Sequence, residues 1–193
     1  MSTTGRPSVP SSSAGGTTAP STSSASETGA SSAPATSAPA SPSDKWTPQG
    51  ELAHAEPVDR SVGSDQKVTV LWPRGKSADH ALTIKLQAKR NGDKLNVTMY
   101  AANYSGEQVS LLTGTFGSAV AVDERGQSLD FEDFDNGWTL TNPGDSPYLQ
   151  QGQPMSGVMI IDAPKTGNMF SIYWTQAVGL GGIIMVRDVP IVG

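Results

Sequence analysis

The chain has 193 residues, of which 36% are hydrophobic and 16% are charged, and its 13 basic and 18 acidic side chains give a formal net charge of −5. An acidic chain lacks the clustered lysines and arginines that bind a phosphate backbone, so nucleic acid is not an expected partner. The sequence contains no cysteine, which excludes disulfides, thiol nucleophiles and cysteine-ligated zinc.

The first 43 residues differ in composition from the rest of the chain. Nearly all of them are Ser, Thr, Ala, Pro or Gly, and none is aromatic. Such a segment has too little apolar surface to offset the entropy lost on ordering its backbone. We therefore predict a disordered tether over residues 1–43, followed by one folded domain over residues 44–193.

Alternation of apolar and polar residues begins in the middle of the chain and predicts β-strands. Leu82–Ala88 and Leu95–Ala101 both alternate, and a turn with Asn91-Gly92 at its centre separates them. Two such strands around an Asn-Gly turn predict a β-hairpin. Further strands are predicted over Val109–Leu112, Ala119–Val122, Met155–Ile161, Met169–Trp174, Ile183–Val186 and Val189–Val192. Short strands separated by turn residues are typical of a sandwich of two antiparallel sheets.

The positions predicted to face inward define an expected core. They are Ile84, Leu86, Leu95, Val97, Met99, Val120, Val122, Ile160, Phe170, Ile172 and Trp174. Pro190 interrupts the terminal strand, and proline cannot donate a ladder hydrogen bond. We therefore expect the terminal strand at the edge of a sheet.

The strongest local concentration of charge is an acidic stretch in the second half of the chain. Its four carboxylates are those of Asp130, Glu132, Asp133 and Asp135. Carboxylate oxygens are the ligands that Ca²⁺ prefers, but no bidentate glutamate follows at the spacing of a complete calcium loop. We expect a solvated loop with Phe131 and Phe134 packed inward, and a calcium site formed by the four carboxylates is the alternative.

Residues with catalytic potential are few. His54 and His80 are the only histidines, and no serine stands in a Gly-x-Ser-x-Gly elbow. Without a visible nucleophile the sequence predicts no enzyme and no cofactor. Trp72 and Trp138 lie next to Pro73 and Gly137, which makes these two tryptophans the candidates for partial exposure and for binding a sugar or a peptide.

Four segments carry a resemblance to a known family. Their shared features are an alternating strand that ends in Asn, an Asp-x-x-Gly hairpin, a Gly-containing turn and a strand that ends in Asp-x-Pro. The segments are Leu95–Val109, Val120–Gln127, Leu149–Gly157 and Met159–Pro164. Together they resemble the immunoglobulin-like domain of small actinobacterial secreted antigens and lipoproteins, over about residues 82–175. The resemblance implies an immunoglobulin-like antiparallel β-sandwich, an extracytoplasmic location and a binding or structural role.

The tail adds to this expectation. It resembles the stretch that follows the lipid-modified cysteine of actinobacterial lipoproteins, with Met1 in place of that cysteine. A flexible spacer from a longer protein is the alternative origin. The expected function is that of a non-enzymatic cell-envelope binding or scaffold domain, which reaches the membrane only through a lipid anchor and contacts a protein or an envelope component. A metal-assisted hydrolase that uses the acidic loop at residues 130–135 is the alternative function.

Overall fold

The fold is all-β in the residues that the computed structural model describes, which are 45–113, 118–132, 148–179 and 181–193. These residues belong to one compact unit, Ser41–Gly193. In this part of the chain the helices are two short 3-10 turns, Gly50–His54 and Ala78–His80, and neither has the length that a membrane crossing requires. The all-β prediction is confirmed, whereas the predicted tether over residues 1–43 lies outside the described residues.

The described residues contain eleven strands, which form two pairing groups. In chain order they are β1 (Asp59–Val62), β2 (Val68–Trp72), β3 (Leu82–Asn91), β4 (Lys94–Asn103), β5 (Val109–Ser110), β6 (Ala119–Asp123), β7 (Ser128–Leu129), β8 (Tyr148–Leu149), β9 (Pro154–Asp162), β10 (Met169–Val178) and β11 (Gly182–Val192). The first sheet has the order β1-β2-β3-β4-β9 and is antiparallel. In the second sheet β10 pairs with β11 on one side and with β6 and β5 on the other, and β7 and β8 continue outward from β6 and β5.

The predicted hairpin is formed by β3 and β4, the two longest strands of the first sheet. Their ladder ends at the pair Asn91 and Lys94, so Gly92 and Asp93 are the two central residues of the turn. The sequence prediction placed this turn one residue too early. Gly92 has a φ of 64°, and a type II′ turn requires a glycine at its first central position.

One apolar core takes side chains from both sheets. Among the predicted core residues, the structure buries Ile84, Leu86, Leu95, Val97, Met99, Phe170, Ile172 and Trp174. The prediction for Ile160 is wrong by one position, because Ile161 is fully buried opposite Leu95 and Ile160 is half-buried. Val122 is also buried and Val120 is half-buried, but both belong to a separate cluster on the outer face of the second sheet.

Strand β11 joins the two sheets. Along most of its length β11 pairs only with β10 among the described residues. This agrees with the prediction that the strand containing Pro190 lies at the edge of a sheet. Its last two residues, Ile191 and Val192, pair in parallel with Ala88 and Lys89 of β3. The edge prediction therefore fails at the end of the strand, where the chain crosses from the second sheet to the first.

Candidate functional site

The outer face of the second sheet is covered by residues 45–56, which we call the strap. Its backbone is hydrogen bonded near both ends, from the Trp46 N–H to the Glu124 carbonyl (2.8 Å) and from the Glu56 N–H to the Ile183 carbonyl (2.7 Å). Between these bonds Leu52 packs against the apolar cluster beneath the strap. That cluster consists of Val122, Tyr173, Ile183 and Met185. The strap thus gives the second sheet two buried faces.

An aromatic pair holds the start of the strap. The Trp46 indole stacks on the Tyr173 ring with 6.5 Å between ring centroids and 15° between planes. Gly126 lies directly against the indole, so any larger residue there would overlap the Trp46 ring. Tyr173 is only 9% exposed, and burial raises the pKa of its phenol because the charged phenolate loses hydration.

Polar contacts around a bulge in β11 hold the same end of the strap. The Lys45 ammonium lies 3.0 Å from the Asp188 carboxylate, and Asp188 has a φ of 51°. The Asp188 N–H donates to the Ser171 hydroxyl (3.1 Å). The Arg60 guanidinium donates to the carbonyls of Arg187 (2.9 Å) and Asp188 (2.7 Å). Charged groups in this region therefore have structural partners.

The outer face of the first sheet, by contrast, is open around the middle of β3 and β4. The pairing register places Lys85 opposite Tyr100 and Gln87 opposite Thr98. A shallow groove of about 330 Å³ is lined by Lys67, Lys85, Gln87, Thr98 and Tyr100, which we call the open patch. Tyr100 is 41% exposed.

Buried residues limit the open patch at one end, and the charged Lys85 lies at its centre. Thr83 and Ala102, on the same face, are buried. The Lys85 ammonium lies 5.7 Å from the centroid of the Tyr100 ring, a cation–π distance. Lys67 pairs with Asp65 at 3.0 Å, and the hydrogen bond from Lys67 lowers the pKa of that carboxyl. The patch therefore offers an aromatic ring and a lysine that no carboxylate among the described residues neutralises.

Asn103, at the end of β4, has a structural role that the sequence did not reveal. Its buried amide donates to the carbonyls of Glu107 (2.7 Å) and Leu149 (2.8 Å), and its amide oxygen accepts from the N–H and hydroxyl of Ser105 (3.1 and 2.7 Å). It thereby ties the turn after β4 to β8. The one indication of this role in the sequence is that the alternating run ends in Asn. A buried Asn destabilises the fold unless its amide is hydrogen bonded.

The acidic stretch begins as a short extension of the first sheet. Phe131 forms a β-bridge with Ile161 and packs partly against the core, which confirms its inward orientation. Asp130 is exposed. Two further carboxylates of the candidate calcium site, those of Asp133 and Asp135, lie outside the described residues, and so does Phe134, which was also expected to pack inward.

The fourth candidate ligand, Glu132, is already paired. Its carboxylate lies 3.2 Å from the Lys94 ammonium, which also contacts the Asp162 carboxylate at 2.8 Å. The hydrogen bond to Asp162, followed by that to Glu132, raises the pKa of Lys94 to about 12. Among the described residues, no three His, Cys, Asp or Glu side chains come together as a metal-binding group.

The expected partial exposure of Trp72 is wrong. Trp72 is 6% exposed because it shares the inward parity of Val68 and Val70 on β2, and its indole N–H points to the Glu56 carboxylate (3.4 Å). Trp138, the second binding candidate, lies outside the described residues. His54 and His80 are both exposed.

A second concavity, of about 740 Å³, lies between the strap and the end of β10. Glu51, His54 and Glu56 line one side of it, and Thr175 and Gln176 line another. Its two glutamates make it acidic, so it suits a cationic group rather than an anion. Gly179 and Gly181 also line the cleft.

Comparison with known proteins identifies no relative of this chain. No protein-family model, no curated protein and no solved structure gives a significant match. The argument for function therefore depends on the geometry of the two outer faces.

Proposed function

We propose that the chain is an extracytoplasmic binding or scaffold domain that contacts a component of the cell envelope and catalyses no reaction. Its architecture in this proposal is an immunoglobulin-like β-sandwich. The shared core supports that architecture, because inward side chains of both sheets, such as Ile84 and Ile172, belong to one cluster. Two sheets that bury one common core are the defining feature of a sandwich.

The single observation that carries the proposal is the difference between the two outer faces. The strap covers the second sheet, whereas Lys85, Thr98 and Tyr100 are exposed on the first sheet. An exposed tyrosine presents a large apolar surface and a polar hydroxyl to a partner. The proposal assigns binding to this open patch and a purely structural role to the covered face.

The polar groups elsewhere in the domain support a scaffold role. Buried Asp123, for example, accepts hydrogen bonds from the N–H groups of Arg125 and Gln127 (both 2.9 Å), and it thereby fixes the turn between β6 and β7. Asn103 fixes the turn after β4 in the same way. These buried groups have structural functions that account for their presence.

The proposed tether is residues 1–43, ahead of the strap. As a flexible coil a segment of this length spans about 35 Å. A reach of this size would let a domain anchored through its tether contact envelope components clear of the lipid headgroups.

The test is retention by isolated cell envelopes. The full chain is mixed with sedimentable envelopes of the bacterium that produces it, and the bound fraction is measured after centrifugation. We expect saturable retention that excess unlabelled chain displaces. Retention no greater than that of an unrelated acidic protein would contradict the proposal. So would a time-dependent release of envelope fragments in proportion to added protein, because that result would identify a hydrolase.

A further inference from the structure

We infer that the open patch binds an acidic polysaccharide, with a sugar ring stacked on Tyr100 and a sugar carboxylate paired with Lys85. This inference rests on the proposed function and names the ligand class of the same site. Three properties of the patch lead to it: its aromatic ring, its charge and its shape.

The aromatic ring is available for stacking. Tyr100 is 41% exposed on the face of a sheet, and its position on the long strand β4 fixes its direction. The C–H face of a pyranose ring is apolar and packs on an aromatic ring, while the sugar hydroxyls remain available to neighbouring polar groups. The exposed Thr98 hydroxyl and the Gln87 amide oxygen flank the ring and supply such groups, whereas the Gln87 amide N–H already donates to the Asp65 carbonyl (2.9 Å).

The charge favours an anion. The outward positions of β3 are Thr83, Lys85, Gln87 and Lys89, and those of β4 are Asn96, Thr98, Tyr100 and Ala102. These eight positions contain two lysines and no carboxylate, although the whole chain has a net charge of −5. The Lys85 ammonium lies over one face of the Tyr100 ring, 5.7 Å from its centroid, so a carboxylate on a sugar stacked on the ring would be in reach of the ammonium.

The shape favours a chain rather than a small enclosed molecule. The groove is shallow and holds about 330 Å³, which is at the lower end of pockets that enclose a drug-sized ligand. A polysaccharide needs only one or two rings in contact and can continue across the sheet on both sides. A longer chain then offers more equivalent positions at which one or two rings can bind.

Other classes of macromolecule match the patch less well. A basic membrane-binding surface usually has about four to eight clustered lysines or arginines, and nucleic acids similarly need several cations along a backbone. A peptide that recognises a sheet usually pairs with an edge strand, whereas the open patch lies on the face of two internal strands, β3 and β4.

The test uses oligogalacturonate, a uronic-acid chain, and the same oligosaccharide with its carboxylates reduced to alcohols. Binding of each to the full chain is measured by calorimetry. We expect the reduced ligand to bind at least about tenfold more weakly. Raising the salt concentration from about 0.05 M to about 0.5 M should weaken the binding of the acidic ligand but not that of the reduced ligand, because salt screens exposed ion pairs.

Matched variants test the residues. Tyr100→Ala and Lys85→Gln should each raise the dissociation constant about tenfold, and Tyr100→Phe should retain most of the affinity because it keeps the ring. Tyr148→Ala and Lys165→Gln serve as controls, since both residues are exposed and lie outside the open patch. Melting temperatures of all variants establish that each is folded.

Three results would overturn the inference: equal binding of the acidic and reduced ligands, no effect of Tyr100→Ala and Lys85→Gln, or equally tight binding of polyglutamate or single-stranded DNA at the same residues. The envelope assay separates this failure from that of the proposed function. If envelopes retain the Tyr100→Ala and Lys85→Gln variants as well as the unmodified chain, the ligand assignment is refuted and the envelope-binding role is kept. Absence of retention together with Tyr100-dependent uronate binding would refute the envelope role alone.

Discussion

Strand β10 is buried at every position from Phe170 to Trp174, whereas β3 alternates between the buried residues Ile84 and Leu86 and the outward residues Lys85 and Gln87. The two patterns correspond to two kinds of outer face. A strand under the strap is buried on both sides, and in this stretch of β10 Ser171, the one polar residue apart from Tyr173, is hydrogen bonded. A strand with one exposed face keeps polar residues there. The burial pattern of a strand thus indicates whether its outer face is covered. This difference distinguishes the structural face from the proposed binding face.

The sharpest way to break this comparison is to truncate one tyrosine on each face. Tyr173→Ala should lower the free energy of unfolding by about 3 kcal/mol, because it removes a ring buried beneath the strap. For a domain of this size that loss corresponds to about 10 °C in melting temperature. Tyr100→Ala should cost less than about 1 kcal/mol, as is usual for an exposed residue. Similar losses for the two variants in chemical denaturation would contradict the distinction between the faces.

A second change separates stability from binding in the first sheet itself. Asn103→Asp replaces the amide that donates to two carbonyls by a carboxylate, so we expect a loss of about 2 kcal/mol. Oligogalacturonate affinity measured well below the melting temperature should be unchanged, because Asn103 lies at the end of β4 and outside the open patch. Asn96→Asp, at a half-buried outward position, is the matched control. Equal destabilisation by the two substitutions would show that the Asn103 hydrogen bonds have no special structural importance.

A third change weakens the attachment of the strap without altering the sheet beneath it. Trp46→Ala removes the stacking partner of Tyr173 and should cost about 2 kcal/mol, since the indole is partly exposed. The strap should then open more often, and a glutamate-specific protease should cut after Glu51 at a higher rate. Trp46→Phe keeps an aromatic ring and should show an intermediate rate. An unchanged cleavage rate in Trp46→Ala would mean that the stack does not hold the strap.

The smallest expected effect concerns the edge of the open sheet, where Lys94 contacts Asp162 and Glu132. The folded state raises the pKa of Lys94 from 10.5 to about 12, so its stabilising contribution is complete below pH 10.5 and disappears as the pH rises through about 12. The difference in melting temperature between the unmodified chain and Lys94→Gln should shrink across this interval. A difference that stays constant with pH would exclude the ion pairs as its cause.

Much of the first sheet could be predicted because its sequence alternates clearly. Leu82–Ala88 and Leu95–Ala101 each indicate which side chains face inward, and the structure buries those positions. The run Val158–Ile161 contains four successive apolar residues, so alternation could not decide which of Ile160 and Ile161 faces the core. Strand β2 was missed, and with it the inward orientation of Trp72, because the apolar Leu71 interrupts the alternation that Val68–Val70 begins.

The strap and the open patch could not be predicted in the same way. The strap depends on contacts between residues distant in sequence, such as Trp46 with Tyr173. Val120 and Val122 were expected in the main core because apolar strand residues indicate burial without indicating which face is buried. Lys85 and Tyr100 are ordinary outward residues in the sequence, and only the pairing of β3 with β4 brings them together.

Hydroxyl-radical footprinting of the full chain tests the central claim most directly, because it compares the two faces in one sample. Mass spectrometry reports the oxidation rate at Tyr173, which is 9% exposed, and at Tyr100, which is 41% exposed. We predict rapid oxidation of Tyr100, slow oxidation of Tyr173, and protection of Tyr100 alone when oligogalacturonate is added. Equal oxidation of the two tyrosines, or protection of Tyr173 rather than Tyr100 by the ligand, would contradict the assignment of one covered face and one binding face.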